Sequence, residues 1–498
     1  MNKKILIVGG GIGGLVAGIY ARQAGFEAEI YEQNAVAGGE CTGWDREGYH
    51  IDNCIHWLIG TRPGTELNRL WRTVGALEEG TQAVCADRMY TSELGGERVT
   101  LWADIARTER ELLALSPRDA EEIRRLMKAC RLAKDVQIPA KTPPELMGPL
   151  DAIRMTATMG AALRLFKMYE GQDTRDLMQR FHHPLIRCLI SDFCTAESLA
   201  HSFPMAYGNF AGGDGGIPRG GSRAMALRMQ DTFIRLGGRI FTGRRVGQIV
   251  LDGDAAGGIR LSDGAFVAGD YVVPACDTQE TFERLMPKRF MPALLREMYA
   301  DREAYPVDSP FQAAFAVDCA EDPIGGDFIL DGAGLTLLPG MTGRVTVKSY
   351  AYEPGFAPEG KQVVQALTGG PEALYAYWAA LHKDPSAYRA KKTELAMQLA
   401  ALIEARFAKC RGRLRLLDAW TPMTYARYMN AYKGYYQSFT ITKRSAKVPY
   451  PPAVLEGLTN VVLAGQWVNP PGGVPGAATA GKFAIQRILH KEGRNIRL

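Results

Sequence analysis

Near the start of the chain, Gly9-x-Gly11-x-x-Gly14 follows the apolar run from Ile5 to Val8. It opens a helical pattern whose apolar face is Ile12, Leu15, Val16 and Ile19 and which stops at Gly25. Strand, glycine turn, helix and second strand make a βαβ unit, the opening of a doubly wound α/β fold. The glycines allow a tight turn, close backbone approach to a diphosphate and close helix packing, and the helix N-terminus favours negative charge. Glu32 closes the second strand, where a carboxylate can accept from ribose hydroxyls. That acid argues against a nucleotide carrying a 2′-phosphate, leaving FAD and NAD.

The remaining chain reads in blocks. Periodicity is helical from about Thr108 to Tyr207, with a Pro-rich break from Thr142 to Pro149. A Gly-rich passage from Gly212 to Gly221 feeds a helix from about Ser222 to Leu236. Short segments at Arg239–Thr242, Gln248–Leu251, Gly258–Leu261 and Ala265–Val273 then read as a small antiparallel unit. Beyond Cys276 a helix (Lys391–Phe407) mixes with strands (Phe311–Val317, Arg344–Tyr350, Lys361–Leu367). The end returns to strand (Val461–Ala464), Gly/Pro turn and helix (Ala477–Leu489). The expected division is a discontinuous nucleotide-binding domain (1–107, 208–275 and 453–498), a helical insertion (108–207) serving substrate entry or membrane contact, and a mixed α+β substrate domain (276–452).

A formal charge of +5 on 498 residues, with Lys and Arg scattered, gives no basic stripe for nucleic acid. Nine cysteines without a CxxC pair, and histidines such as His182 and His183 that are adjacent, give no metal or redox-dithiol framework. Glycines interrupt any signal-like apolar run after Lys3 and Lys4, so a cytoplasmic protein is expected. No apolar run reaches the roughly 18 residues of a spanning helix. Peripheral attachment to a membrane surface stays open.

Gly38-Gly39 shortly after Glu32, Gly220-Gly221 before a helix, Val246, and the stretch Gly465-Gln466-Trp467-Val468-Asn469-Pro470-Pro471-Gly472-Gly473-Val474-Pro475-Gly476-Ala477 extend the pattern from end to end. Here the sequence resembles the flavoprotein superfamily of phytoene desaturases, carotenoid isomerases, retinol saturase and flavin amine oxidases. The last stretch is most similar to the bacterial-type phytoene desaturase group. The resemblance implies a Rossmann-like FAD-binding domain of the two-dinucleotide-binding-motif type, with noncovalent FAD. It assigns FAD contacts to Gly9, Gly11, Ile12, Gly13, Gly14, Glu32, Gln33, Gly38, Gly39, Val246, Gly465, Gln466, Gly473, Val474, Pro475 and Gly476. Two positions depart from the family pattern: Glu40 stands where many relatives carry Arg or Lys, and Gln466 where an acid usually meets the ribityl chain. On its own chemistry, a helix opening with Gly476, Ala477 and Ala478 would leave room for a planar ring and favour negative charge on a reduced flavin.

His56 falls in the stretch that in this superfamily runs toward the flavin ring and could pass a proton there, although an interface histidine is the commoner outcome. Cys54 could place a thiol near the flavin, but a small buried cysteine is far commoner. Tyr425, Tyr428, Tyr432, Tyr435 and Tyr436 are spaced as one helical face and its edge, able to line an apolar tunnel or to pack a core. Met155, Met159, Leu163 and Phe166, with Arg154, Arg164 and Lys167 beside them, suit either a buried helix face or an anionic lipid surface.

The expected activity is hydride exchange between flavin N5 and a C–C bond of an apolar, polyene or isoprenoid-like substrate, as a desaturase, saturase or isomerase. The alternatives are an amine-oxidase-like enzyme on a polar substrate and a non-catalytic prenyl-binding protein of the same fold. Without a second GxGxxG unit, electrons must be exchanged with an external partner: oxygen, a quinone or a separate reductase.

Overall fold

The computed structural model describes residues 2–498 except 79, 81, 82, 150, 152, 154, 156–158, 337, 339, 340, 342 and 449. Strand β1 (Lys4–Val8), helix α1 (Ile12–Gln23) and strand β2 (Glu27–Tyr31) form the predicted βαβ unit. In the four-stranded parallel sheet built on it, Tyr271–Pro274 lies outside β1 and Arg239–Phe241 outside β2. Every residue from Ile12 to Ala21 is buried, because α1 is enclosed by the sheet, by helix Gly221–Arg235 and by the C-terminal helix Gly473–Lys491. Gly13 and Gly481 set the approach of α1 to the C-terminal helix: a Cβ on Gly481 would lie 2.3 Å from the Gly13 carbonyl oxygen.

The segment from 239 to 273 is arranged differently from the single antiparallel unit expected. Only Val246–Asp252, Ala255–Leu261 and Phe266–Ala268 form an antiparallel sheet. Arg239–Phe241 pairs parallel with β2, and the chain leaves the small sheet at Gly269-Asp270 to run parallel to β1. Asp270 Oδ2 accepts from the Lys4 N–H at 2.7 Å, and a Cβ on Gly269 would lie 2.6 Å from Leu6 Cγ, so both residues suit the crossing.

A seven-stranded sheet forms the other side of the molecule, in the order Leu414–Trp420, Phe311–Val317, Gln362–Thr368, Arg344–Ser349, Phe328–Asp331, Arg88–Leu94 and Glu97–Trp102. Its last two strands come from the stretch that sequence reasoning assigns to the nucleotide-binding unit. They join by parallel pairing of Phe328 with Thr91 and Ile329 with Ser92. Buried Phe315, Val345 and Val347 pack with Leu395, Leu399 and Ile403 of the long helix Pro385–Arg406. Residues 105–211 are mainly helical and have their own core, which includes Leu112, Leu126, Leu189 and Tyr207. Among the described residues, no helix is long and apolar enough to cross a membrane.

Candidate functional site

The turn after β1 is built on backbone contacts that side chains would prevent. Gly9, at φ 103°, donates its N–H to the Tyr31 carbonyl at 2.9 Å, and a Cβ on Gly14 would sit 2.0 Å from the Gly9 carbonyl oxygen. No described side chain caps α1, so its first N–H groups are left to a ligand. Glu32 is buried behind the turn, where its Oε2 accepts from the Gly10 N–H at 2.7 Å and its Oε1 from the Asn34 N–H at 2.8 Å. Burial raises its carboxyl pKa, with those N–H groups opposing the shift. The acid therefore braces the turn as well as facing the cavity.

Gly38 and Gly39 lie against the turn. The Gly38 N–H donates to the Gly10 carbonyl at 2.9 Å, and a Cβ on Gly39, at φ 60°, would approach Gly11 Cα to 3.2 Å. From the far end of the chain, Gly465 (φ 94°) and Gly472 (φ 82°) bracket a turn that places Gln466 beside the N-terminus of the C-terminal helix. Gln466 Oε1 accepts from the Gly473 N–H at 3.0 Å. The helix starts at Gly473, ahead of the predicted Gly476, and the Gln466 side chain takes its first N–H. The N-termini of α1 and of this helix thus converge, and Gly13 packs directly on Gly465, where a Cβ would come within 2.9 Å of the Gly465 Cα.

The assigned positions, except Gly14, share the wall of one cavity of about 2050 Å³. Gly14 lies behind the turn and packs against it. At one end Val246 lies near Gln33, which donates from Nε2 to the Tyr428 carbonyl at 2.9 Å and accepts from Asn430 Nδ2 at 2.8 Å. Sequence reasoning missed Asn430, Arg245 and Asp277 on this wall. Asp277 follows the parallel strand Tyr271–Pro274, and the C-terminal ends of such strands are where α/β folds bind ligands. The signal for it depends on placing that strand beside β1.

His56 also lines the cavity. Burial, with the charge of Lys348, pushes its imidazole down to about 3, so the ring is neutral near pH 7. Lys348 is buried beneath it and donates to the carbonyls of His56 at 3.1 Å and Ile55 at 3.4 Å. The same turn is anchored by Asp52, which accepts from the Ser222 hydroxyl at 2.5 Å and the Ser222 N–H at 2.6 Å. Cys54 lines the cavity as a free thiol, and its hydrogen bond with Cys41 together with burial pushes it well up, away from the reactive thiolate.

The five tyrosines do not form one helical face. Helix Pro422–Met429 ends at Asn430, at φ 51°, so Tyr432, Tyr435 and Tyr436 follow in a separate turn. Tyr428 and Tyr436 reach the cavity, whereas Tyr425 is buried in hydrogen bonds with Asn53, Gln312 and Trp420. Met155, Met159, Phe166 and Lys167 also line the cavity. Leu163 instead points outward at 50% exposure, Arg164 is exposed, and Arg154 lies outside the described residues.

A glycine cradle, two converging helix N-termini and a buried acid behind the turn fit a dinucleotide with a second planar ring system, and with the family match below they define an FAD-dependent oxidoreductase. Residues 12–489 match the family of flavin containing amine oxidoreductases, and the chain belongs to that family. It is similar to 4,4'-diaponeurosporene oxygenase of Staphylococcus aureus strain MW2, at 22% identity over 519 residues that cover 99% of this chain and 100% of the relative. A solved oxidoreductase from Methanosarcina mazei superposes with a TM-score of 0.61 at 17% identity, covering 97% of this chain and 100% of its own. Cyclohexylamine oxidase from Brevibacterium oxydans gives a TM-score of 0.60 at 15% identity, covering 99% and 100%. At these identities the structural likeness establishes the fold.

Proposed function

We propose that the protein changes the oxidation state or geometry of a C–C bond in a long apolar substrate of polyene or isoprenoid type, as a desaturase, saturase or isomerase. The observation that carries this reading is the cavity. Its volume of about 2050 Å³ is twice the upper end of the ~300–1,000 Å³ usual for a single ligand, which leaves room for FAD and a second long molecule. Its lining includes Met155, Met159, Phe166, Phe193 and Met205, side chains that suit a hydrocarbon. The similarity to an enzyme named for diaponeurosporene supports the same substrate class.

Bound FAD supplies the electron-pair chemistry through N5. The chain's own part is to hold the cofactor with the β1–α1 turn, Glu32, Gln33, Gly38, Gly39, Val246 and the Gly465–Gly476 stretch. It also presents a neutral His56 on the cavity wall, which can accept a hydrogen bond at one ring nitrogen while donating one from the other. Oxygen, a quinone or a reductase completes the electron balance from outside. The exposed Leu163 and Ile153, close in sequence to the cavity-lining Met155, Met159 and Phe166, suit contact with a membrane surface from which such a substrate would be drawn.

The test is anaerobic mixing of the FAD-loaded protein with solubilised polyenes and, in parallel, with aliphatic amines, reading the flavin's visible band. Bleaching by polyenes, or recovery of the band when the reduced protein meets them, supports the reading. Bleaching by amines alone would transfer it to the amine-oxidase alternative.

A further inference from the structure

Glu40 and Gln466, the two positions that break the family pattern, lie 426 residues apart in sequence and meet at the cavity wall, where Gln466 Nε2 donates to Glu40 Oε2 at 3.4 Å. The Gln466 amide is held in this orientation, because its Oε1 accepts from the Gly473 N–H at 3.0 Å. Position 466 therefore presents a donor to position 40. Where the family pattern has a cation at the first position and an acid at the second, this chain sets a carboxyl opposite a neutral amide.

The charge that bears most on Glu40 is a second carboxylate, Asp277. Asp277 is itself tied to the N–H groups of Gln279 at 2.7 Å and Tyr432 at 3.0 Å. The other ionisable groups that sense Glu40 are Cys54, pushed up by its bond to Cys41 and by burial, and Tyr425 and Tyr436, pushed up by burial. All three are neutral near pH 7. A diphosphate brought against two ionised carboxylates in this enclosed place would be repelled.

We propose that Glu40 enters FAD binding as a neutral, proton-bearing carboxyl, and that Glu40 and Gln466 together make the contact to the diphosphate and ribityl stretch that relatives make with a cation and an acid. This rests on FAD lying at the β1–α1 turn. One Glu40 oxygen accepts from Gln466, and the protonated oxygen donates to the cofactor. Burial, with Asp277, pushes the Glu40 carboxyl up to about 8, against the opposing Gln466 hydrogen bond. The cofactor's own charge pushes it further. The protonated form is the one that binds, so affinity is nearly complete at about pH 7, is about halved near pH 8 and falls further as pH rises.

Full-length protein stripped of flavin is titrated with FAD, following flavin fluorescence, from about pH 7 to about pH 9. The wild type is expected to bind about tenfold more weakly at the upper end than at the lower, and to take up about half a proton per FAD near pH 8. The uptake is read by calorimetry in two buffers of different ionisation enthalpy. E40Q is expected to bind with an affinity that does not change over this range, and D277N to keep a slope displaced toward lower pH, because the charge that helps raise Glu40 is gone. A wild type with neither slope nor proton uptake, an E40Q variant that keeps the slope, or a slope lost in D277N instead overturns the proposal. Should E40Q fail to fold, the wild-type proton uptake decides. G13V separates the premise: normal FAD binding by that variant removes the placement of the cofactor, whereas loss of binding there beside a flat wild type removes the role of Glu40 alone.

Discussion

Replacing Gly481 by alanine should weaken FAD binding although Gly481 is not on the cavity wall. The new Cβ would lie 2.3 Å from the Gly13 carbonyl oxygen and 3.1 Å from the Ala17 nitrogen, both backbone atoms of α1. Restoring ordinary contact requires the two helices to part by about 1 Å, an overpacking that typically costs ~1–3 kcal/mol. Alanine's better helix propensity returns about 1 kcal/mol, so the net loss of stability is up to about 2 kcal/mol. The moved carbonyl belongs to the residue whose N–H group sits in the cofactor turn. Losing one hydrogen bond to a charged phosphate there costs ~1.5–3 kcal/mol, or roughly a tenfold to hundredfold rise in Kd. The assay is FAD titration of flavin-free protein, paired with its thermal unfolding. G257A serves as control, since a Cβ there meets nothing within 4 Å. A G481A variant that binds FAD within a factor of about two of wild type, and unfolds at the same temperature, would refute the account of this helix crossing.

Lys482 is buried on the next turn position and donates to the Ala140 carbonyl at 3.0 Å, with burial pushing its ammonium down to about 8. The folded protein therefore binds fewer protons there than the unfolded chain between about pH 8 and about pH 10, so stability from this group rises with pH across that window, by at most about 3 kcal/mol. K482M should lack that rise in denaturant unfolding measured against wild type, and an identical rise would contradict the assignment. Because His56 is held neutral, flavin reduction rates should show no step between about pH 5 and about pH 8 that disappears in H56Q. Such a step, lost in the variant, would show that the imidazole titrates there. L163E should reduce co-sedimentation with anionic vesicles several-fold while leaving FAD binding unchanged, and equal sedimentation of both proteins would remove this face from membrane contact.

The nucleotide turn was legible because its physics is local. Gly9, Gly11, Gly14 and Glu32 lie within one βαβ unit, and their spacing specifies a backbone that few other arrangements need. Strand Phe311–Val317 was equally plain, since a short apolar run between breaks is what a buried strand requires. The path from 239 to 274 was not legible, because apolar alternation marks a strand without naming its neighbour, and Asp270 commits the chain to β1 through a hydrogen bond to Lys4. The tyrosine cluster misled because its spacing continues through Asn430, whose left-handed conformation ends the helix. Glu40 and Gln466 each looked like an isolated loss of a family feature. Their contact depends on two ends of the chain meeting, which no window of sequence reports.

The meeting of those ends has a cost during synthesis. Helix α1 is apolar on every side, yet one of its covers, Gly473–Lys491, is made only after all of the chain between them. At ~5–20 residues per second, the N-terminal unit waits tens of seconds to more than a minute for that cover. Throughout this interval a sticky helix and an incomplete sheet edge are open to wrong partners. Nascent chains should therefore recruit holdase chaperones early and keep them late. Vitamin supply would then influence yield as well as turnover, since FAD binds only the completed fold and withdraws it from this exposed pool by mass action.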